Sequence, residues 1–591
     1  MTRLVFDIET NDLPPNVKNI WCIVAKDLDT KHVYTFGPES IEEGIAFLQK
    51  ADYLVGHNII GFDIPVIEEF MDVKLDREGV SIVDTHALSR LFNPTRDGGH
   101  SLAAWGSRVG MAKINFEKFE RYSGEMLEYC IRDVELNEKV YHELRKEGKG
   151  FSKESVALEN GVSRILYEQR KNGFLFDHIS AEILKARLEE RMENIKREVR
   201  IILKPRVTEV KLYAQFTKTG ALAKTAKTLE DKGVRLTDEE YQELAGFTHR
   251  PISRYMVAEF NLSSRPQIGE RLQELGWKPD NFTPNGRPTV DEQVLLGIKE
   301  IPVAGLIAEY MLLQKRVAQI GGKKGWLEYV QDDGRVHGSV ISNGTITGRM
   351  THQQPNMAQV PSVSSPYGKE CRSCWIVPPG HKLVGVDASQ LELRMLAHYM
   401  KDENYINEII NGDIHSTNQK IAGLQSRDQA KTFIYALLYG AGDRKLGTVV
   451  GRSPSSGKEL RKHFFDNLPS FRSLRERVSA ASQRGFLKGL DGRKIYVRSE
   501  HSALNTLLQS AGALVMKQAL LILDESIKWY GLNAKYAANV HDEWQIEVAE
   551  KDAVRVGELA VEAIKETAAV FNLVCPLDGE YTIGDNWSET H

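Results

Sequence analysis

Cysteine is scarce: five residues in 591, namely Cys22, Cys130, Cys371, Cys374 and Cys575. So few, and odd in number, they exclude a disulfide-framed secreted module and point to free thiols in a reducing compartment. Cys371 and Cys374 form one CxxC pair, but no second Cys or His pair lies close by in sequence to complete a tetrahedral zinc site. Uninterrupted apolar runs of roughly 20 residues, the length a bilayer crossing needs, are also missing. The first ten residues carry Asp7 and Glu9 inside an apolar run, the opposite of a signal peptide's basic start and uncharged core. No membrane association is expected, and a cytoplasmic location is. Nor is there a large excess of one charge: 77 Lys and Arg against 81 Asp and Glu leave −4, so any polyanion binding must be local. Low-complexity tracts and repeats of about 20 to 50 residues are absent, which excludes solenoids.

What is present fits a large globular chain. Hydrophobic residues make up 41% and charged residues 27%, and the length suggests about four domains. Residues 1–150 alternate short β-type runs (Leu4 to Ile8, Trp21 to Ala25, Tyr53 to Gly56) with helix-like segments, the pattern of a compact α/β domain. Residues 180–203 space Ile183, Leu184, Leu188, Met192, Ile195 and Val199 for a long charged helix. The following stretch is basic (Lys204, Arg206, Lys211, Lys218, Lys224, Lys227 against Glu209 alone), either a solvated loop or a flexible element that touches phosphates. From about 255 the helical patterning is dense to the end.

Two sets of carboxylates stand out. Asp7 and Glu9 lie two apart in a strand-like run, which puts both on one face. Like charges so placed are tolerated when a divalent cation sits between them, and such hard oxygen ligands suit Mg²⁺ or Mn²⁺. Downstream, Asp63 closes His57-Asn58-Ile59-Ile60-Gly61-Phe62-Asp63, and Tyr129 and Asp133 share a helix face four residues apart. In the second set, Lys382 to Asp387 reads as a strand ending on an acid, followed by Ala388 and a helix-opening Ser389-x-x-Glu392 whose spacing equally suits a capping box. Arg427, Lys431 and Tyr435 recur every four residues, two cations and an aromatic ring in one helical stripe. Such a stripe suits phosphates and a base or sugar, or forms the solvated edge of an amphipathic helix. Tyr536 to Val548 reads as two short strands joined at the acidic turn Asp542-Glu543, of which Asp542 alone is expected to meet a metal directly.

The first set resembles, in order and spacing, the three motifs of DnaQ-like (ribonuclease H-like) 3′ to 5′ exonucleases. That resemblance implies metal-holding roles for Asp7, Glu9, Asp63 and Asp133, and a water-orienting role for Tyr129. The second set resembles motifs A, B and C of family A DNA polymerases, the polymerase I family, and is most like the replicative enzymes of short-tailed phages. Asn261-Leu262-Ser263-Ser264, Thr347-Gly348-Arg349, Leu490-Asp491-Gly492-Arg493 and Asn505 to Gly512 carry the likeness further. It implies an α/β and α+β multidomain fold: an exonuclease domain at 1–150, thumb and connecting helices at 151–330 with the basic segment 204–259, palm at 331–415 and 480–591, and fingers at 416–479.

By the same resemblance Asp387 and Asp542, with the carbonyl of Ala388, hold two Mg²⁺, and each of the two active sites takes two such ions, replaceable by Mn²⁺. Arg427, Lys431 and His415 grip triphosphate oxygens, with Lys431 also placed to protonate the leaving group. Tyr435 packs on the incoming sugar, and Glu392 fills the space of a ribose 2′ hydroxyl. Tyr439 supports the templating pair, Arg349 and Gln509 reach minor-groove acceptors, and His541, Asn505 and Lys315 are further DNA contacts. Implied partners are primer-template DNA, dNTPs, a replicative helicase-primase and, through the basic segment, host thioredoxin, for a monomer in the cytoplasm of an infected bacterium. A rival reading is an exonuclease whose C-terminal half only binds DNA; a repair or mitochondrial-type polymerase is another.

Overall fold

The computed structural model describes residues 1–14, 16–212 and 252–590. They divide into two units, residues 1–178 together with 326–591 and residues 179–325.

In the first unit, β1 (Arg3–Thr10) is the centre of a five-stranded sheet with β2 (Ile20–Asp27), β3 (Val33–Phe36), β4 (Tyr53–Gly56) and β5 (Ser81–Asp84), in the order β3-β2-β1-β4-β5. β2 runs antiparallel to β1 and β3, while β4 is parallel to β1 and β5, so the sheet is mixed. The period of two sorts β1. Leu4, Phe6 and Ile8 pack into the core shared with Ile41, Ile45, Ile64 and Ile67. Val5 faces the other way, against Cys130, Val134 and Tyr141 of the helix Gly124–Glu147. Asp7 and Glu9, in phase with Val5, therefore face the helix that carries Tyr129 and Asp133.

The palm is a four-stranded antiparallel sheet in which His381–Ala388 lies between Glu543–Ala549 and Gly579–Gly584, with Ala534–Val540 outermost. A Cβ on Gly385 would collide with the Thr590 carbonyl, so only glycine lets the C-terminal segment cross the strand there. The helix Ala553–Val570 packs on the sheet, and against it lies the helix Ala503–Tyr530. The latter is long and apolar enough to cross a bilayer, yet 72% of its most apolar stretch is buried in protein, as a core helix requires. The fingers are five helices, among them Ile414–Ala422 and Arg427–Leu438.

The helix Lys153–Asn172 belongs to the first unit, not with the segment that begins at 151 in the sequence reading. Its buried Glu159 explains why. Arg493 Nη1 and Lys517 Nζ reach Glu159 Oε1 at 2.7 and 2.6 Å, and Asp491 holds the other side of Arg493. Burial pushes the Glu159 carboxyl up, but the two cations outweigh it and hold it at about 2. The second unit contains the long helices His178–Ile202 and Pro302–Gly321, joined by Arg191 and Glu309 at 2.8 Å. Of the basic segment 204–259, the strands Arg206–Leu212 and Ile252–Ala258 pair antiparallel. Its remainder, to which the thioredoxin expectation belongs, lies outside the described residues.

Candidate active site

The exonuclease-type acids converge. Asp7, Glu9 and the Cys130 thiol bring ligand atoms within 4.8 Å of one another, the one such group among the described residues. Asp63 starts the helix Asp63–Met71 and accepts the Ile8 N–H at 3.1 Å, which ties it to the strand between Asp7 and Glu9. Burial, then the charges of Asp63, Glu9 and Asp133, pushes Asp7 well above the carboxylate range. Burial likewise lifts Glu9 to about 9 and Asp63 to about 7. Four crowded, desolvated carboxyls are an unfavourable arrangement on their own. One oxygen of Asp133 is buried without a hydrogen-bond partner. This donor set fits a hard divalent cation; the neutral Cys130 thiol, raised by burial, does not contribute a ligand of that class.

The sequence reading missed Lys113. Its ammonium lies 2.6 Å from Asp133 Oδ2 and 4.7 Å from the centre of the Tyr129 ring, so it partly offsets the acids. Residues 111–119 have no regular structure, so no periodicity marked it. Phe116 and Phe119 stack about the same tyrosine, at 5.5 and 6.1 Å.

In the palm, a two-residue turn, His541-Asp542, joins the strands Ala534–Val540 and Glu543–Ala549, with His541 at φ +58°, the left-handed geometry such a turn uses. The Ala388 N–H donates to the Asp542 carbonyl at 3.2 Å, binding the turn to the strand that carries Asp387. Glu543 points into the core, where it accepts from Trp587 Nε1 at 2.5 Å and Gln545 Nε2 at 2.6 Å. Asp542 is thus the acid left to the cleft, as the turn reading expects. Two carboxylates and a backbone carbonyl at Ala388 again suit a hard divalent ion.

Opposite stands the fingers stripe. Burial, then the charges of Glu392, Asp542 and Asp387, raises the Tyr435 phenol to about 12, and its ring stacks on Tyr439 at 6.3 Å. His415 packs 6.3 Å from Tyr435 and is kept below its ordinary value by burial and by Arg427 and Lys431. Lys431 is exposed. Arg427 is exposed but held by Asp413 at 2.7 Å, so a phosphate must displace that carboxylate.

The capping-box reading of Glu392 fails. The helix Leu391–Met400 begins at Gln390 in a left-handed conformation without a side-chain cap. Glu392 instead accepts from the Tyr439 hydroxyl at 2.8 Å and pairs with Arg349 at 3.2 Å. Arg349, Glu392, Gln509, His541 and Asp542 line one recess. Asn505 lines a different one, under the end of the fingers helix, and Lys315 is exposed in the other unit. Cys371 and Cys374 are both buried free thiols.

Residues 223–589 match the family model of DNA polymerase family A. The DNA-directed DNA polymerases of Enterobacteria phage T3 and Escherichia phage T7 are each 34% identical over 708 aligned positions, with 100% of both chains covered. Among solved structures, the POL domain of Pol1 from M. smegmatis, in complex with DNA primer-template and dNTP, is similar with a TM-score of 0.76. It covers 100% of this chain and 96% of its own at 18% identity, a likeness of fold. With the palm acids, the fingers stripe and the match along the whole chain in agreement, this protein belongs to DNA polymerase family A.

Proposed function

We propose that this chain copies a DNA template from dNTPs and removes mispaired 3′ ends at a second, exonuclease site, replicating phage DNA in an infected bacterial cell. One observation carries the synthetic half: the helix that presents Arg427 and Lys431 is tied to the recess of Asp542, since Tyr435 stacks on Tyr439 at 6.3 Å and the Tyr439 hydroxyl donates to Glu392, which lines that recess with Asp542. A cleft with acids on one wall and cations on the other suits a metal-bound triphosphate. Asp387, Asp542 and the Ala388 carbonyl would hold two Mg²⁺ there, and Asp7, Glu9, Asp63 and Asp133 two more at the exonuclease site. Bound ions of this kind lower the pKa of an attacking hydroxyl or water and stabilise charge on the departing oxygen.

The chain's own groups do the rest. Lys431 and His415 meet the outer phosphates, Arg427 joins them once Asp413 is displaced, and Lys431 delivers a proton to the leaving group. Tyr435 supports the sugar. Glu392, fixed by Tyr439 and Arg349, keeps a carboxylate where a 2′ hydroxyl would lie. At the exonuclease site, Tyr129 aligns the water while Phe116 and Phe119 hold its ring in place. A frayed 3′ end reaches that site because unpairing costs least at a mismatch.

The test is primer extension with Mg²⁺ beside degradation of a single-stranded primer. Asp387→Ala is expected to abolish extension alone and Asp7→Ala degradation alone. Extension that survived Asp387→Ala would overturn the polymerase assignment and favour the exonuclease that merely binds DNA.

A further inference from the structure

Apart from the two acid clusters, a cavity of about 130 Å³ opens where the first sheet's flank meets the helix Lys153–Asn172 and the strand Ser339–Ile341. Its walls include Asn58, His86, Arg90, Arg170 and Ser342. The two guanidiniums are unusual. Neither Arg90 nor Arg170 forms an ion pair with any carboxylate among the described residues. Arg90 Nε donates to His86 Nε2 at 3.1 Å, a bond that requires the imidazole nitrogen unprotonated, and burial keeps His86 neutral. Arg170 Nε is buried with no partner at all. The acid in the wall, Asp84, is already engaged by the N–H groups of Asn58, Ile60, His86 and Ala87. Two cations against one engaged anion leave the cavity positive, and partly desolvated guanidiniums without a carboxylate partner are costly. A phosphate, with oxygens to meet two planar forks, relieves that cost.

Location narrows the ligand. One wall is the loop 57–62 that leads into the Asp63 helix. Another is the strand paired with Thr351–Gln353, in the hairpin whose tip carries Arg349. That hairpin is fastened beside the cavity, since Asn343 Nδ2 donates to the Arg90 carbonyl at 3.0 Å. The cavity therefore lies between the elements of the two candidate active sites. We propose that it is a phosphodiester subsite for single-stranded DNA, in which Arg90 and Arg170 grip one backbone phosphate of a strand whose 3′ end reaches Asp7, Glu9, Asp63 and Asp133. This rests on the exonuclease reading of those acids. A free nucleotide offers the same phosphate chemistry, so the test separates the two.

In an Asp7→Ala background without divalent cation, fluorescence anisotropy reads the binding of a single-stranded 8-mer and, by competition, of a deoxynucleoside monophosphate. Arg90→Gln and Arg170→Gln are each expected to weaken 8-mer binding about 10-fold and to reduce its salt dependence by about one phosphate contact. Mononucleotide binding and extension of a matched primer should stay unchanged, the latter also reporting that the variants fold. Undiminished 8-mer affinity, or an equal loss for the mononucleotide, overturns the subsite. Failure of the exonuclease reading shows elsewhere, as single-strand degradation that persists in Asp7→Ala, and leaves the anisotropy result readable.

Discussion

The two acid clusters hold the same kind of side chain in opposite settings. Asp7, Glu9, Asp63 and Asp133 sit between a sheet and a helix, and burial drives all four carboxyls upward, with the charges of neighbouring cluster acids adding at Asp7 and Glu9. Lys113 is the cation that offsets them. Asp387 and Asp542 stand at the rim of a cleft, with Lys431, His415 and Arg427 on the opposing helices. On the proposed reading, a trimming site needs little besides its ions and a short stretch of backbone. A synthesising site must also neutralise a triphosphate, and in the proposed function the fingers helices supply that charge.

The contrast can be tested at four points, from the largest expected effect to the smallest. Asp542→Ala should lower extension by about 10³-fold or more while leaving degradation of single strands within about twofold, and Asp63→Ala should do the reverse. Steady-state rates on matched primers and on free single strands check the pair; a shared loss would mean the clusters are not independent.

Glu159 joins the regions and so should break both. Glu159→Gln leaves Arg493 and Lys517 buried with too little negative charge, at a cost of about 3 kcal/mol read from denaturant unfolding. The sign of its pH dependence follows from a folded value of about 2 against 4.5 unfolded. The stabilisation is fully present above about pH 4.5 and is lost as pH falls toward 2. The gap between wild type and variant should narrow over that window. Burial also draws Lys517 down to about 8, so part of the gain at Glu159 is offset by the enclosed ammonium.

Lys431→Ala should reduce extension by about 10²-fold with excision unaffected, because the proposed proton donor and phosphate contact would be lost together. Single-turnover rates across pH should show the acidic group missing from the profile. Smallest, Glu392→Ala should erode selection against ribonucleotides by about 10-fold, measured as the ratio of kcat/KM values for the two sugars. Unaltered discrimination would separate Glu392 from the 2′ position and leave it as the anchor of Tyr439 and Arg349.

Much of this was readable in the chain because the information is local. Alternation in Leu4 to Glu9 gives the strand and the shared face of its acids. The four-residue recurrence of Arg427, Lys431 and Tyr435 gives the helix Arg427–Leu438, and the acids between two apolar runs give the hairpin, though its turn is His541-Asp542 and Glu543 opens the second strand. Other features left no local trace. Lys113 lies in an irregular stretch, Glu392 matched a capping pattern that the left-handed Gln390 forecloses, and Asn505 faces a separate recess despite its place in a strongly matching block.

The sequence by itself determined which segments form strands and helices, which acids share a face, and the family, since periodicity and motif order are properties of neighbouring residues. Only the tertiary structure decided which charges meet. Glu159 with Arg493 and Lys517, Arg349 with Glu392, Lys113 with Asp133, and Arg90 and Arg170 with no carboxylate partner among the described residues are set by packing between distant segments, where low dielectric makes each pairing count.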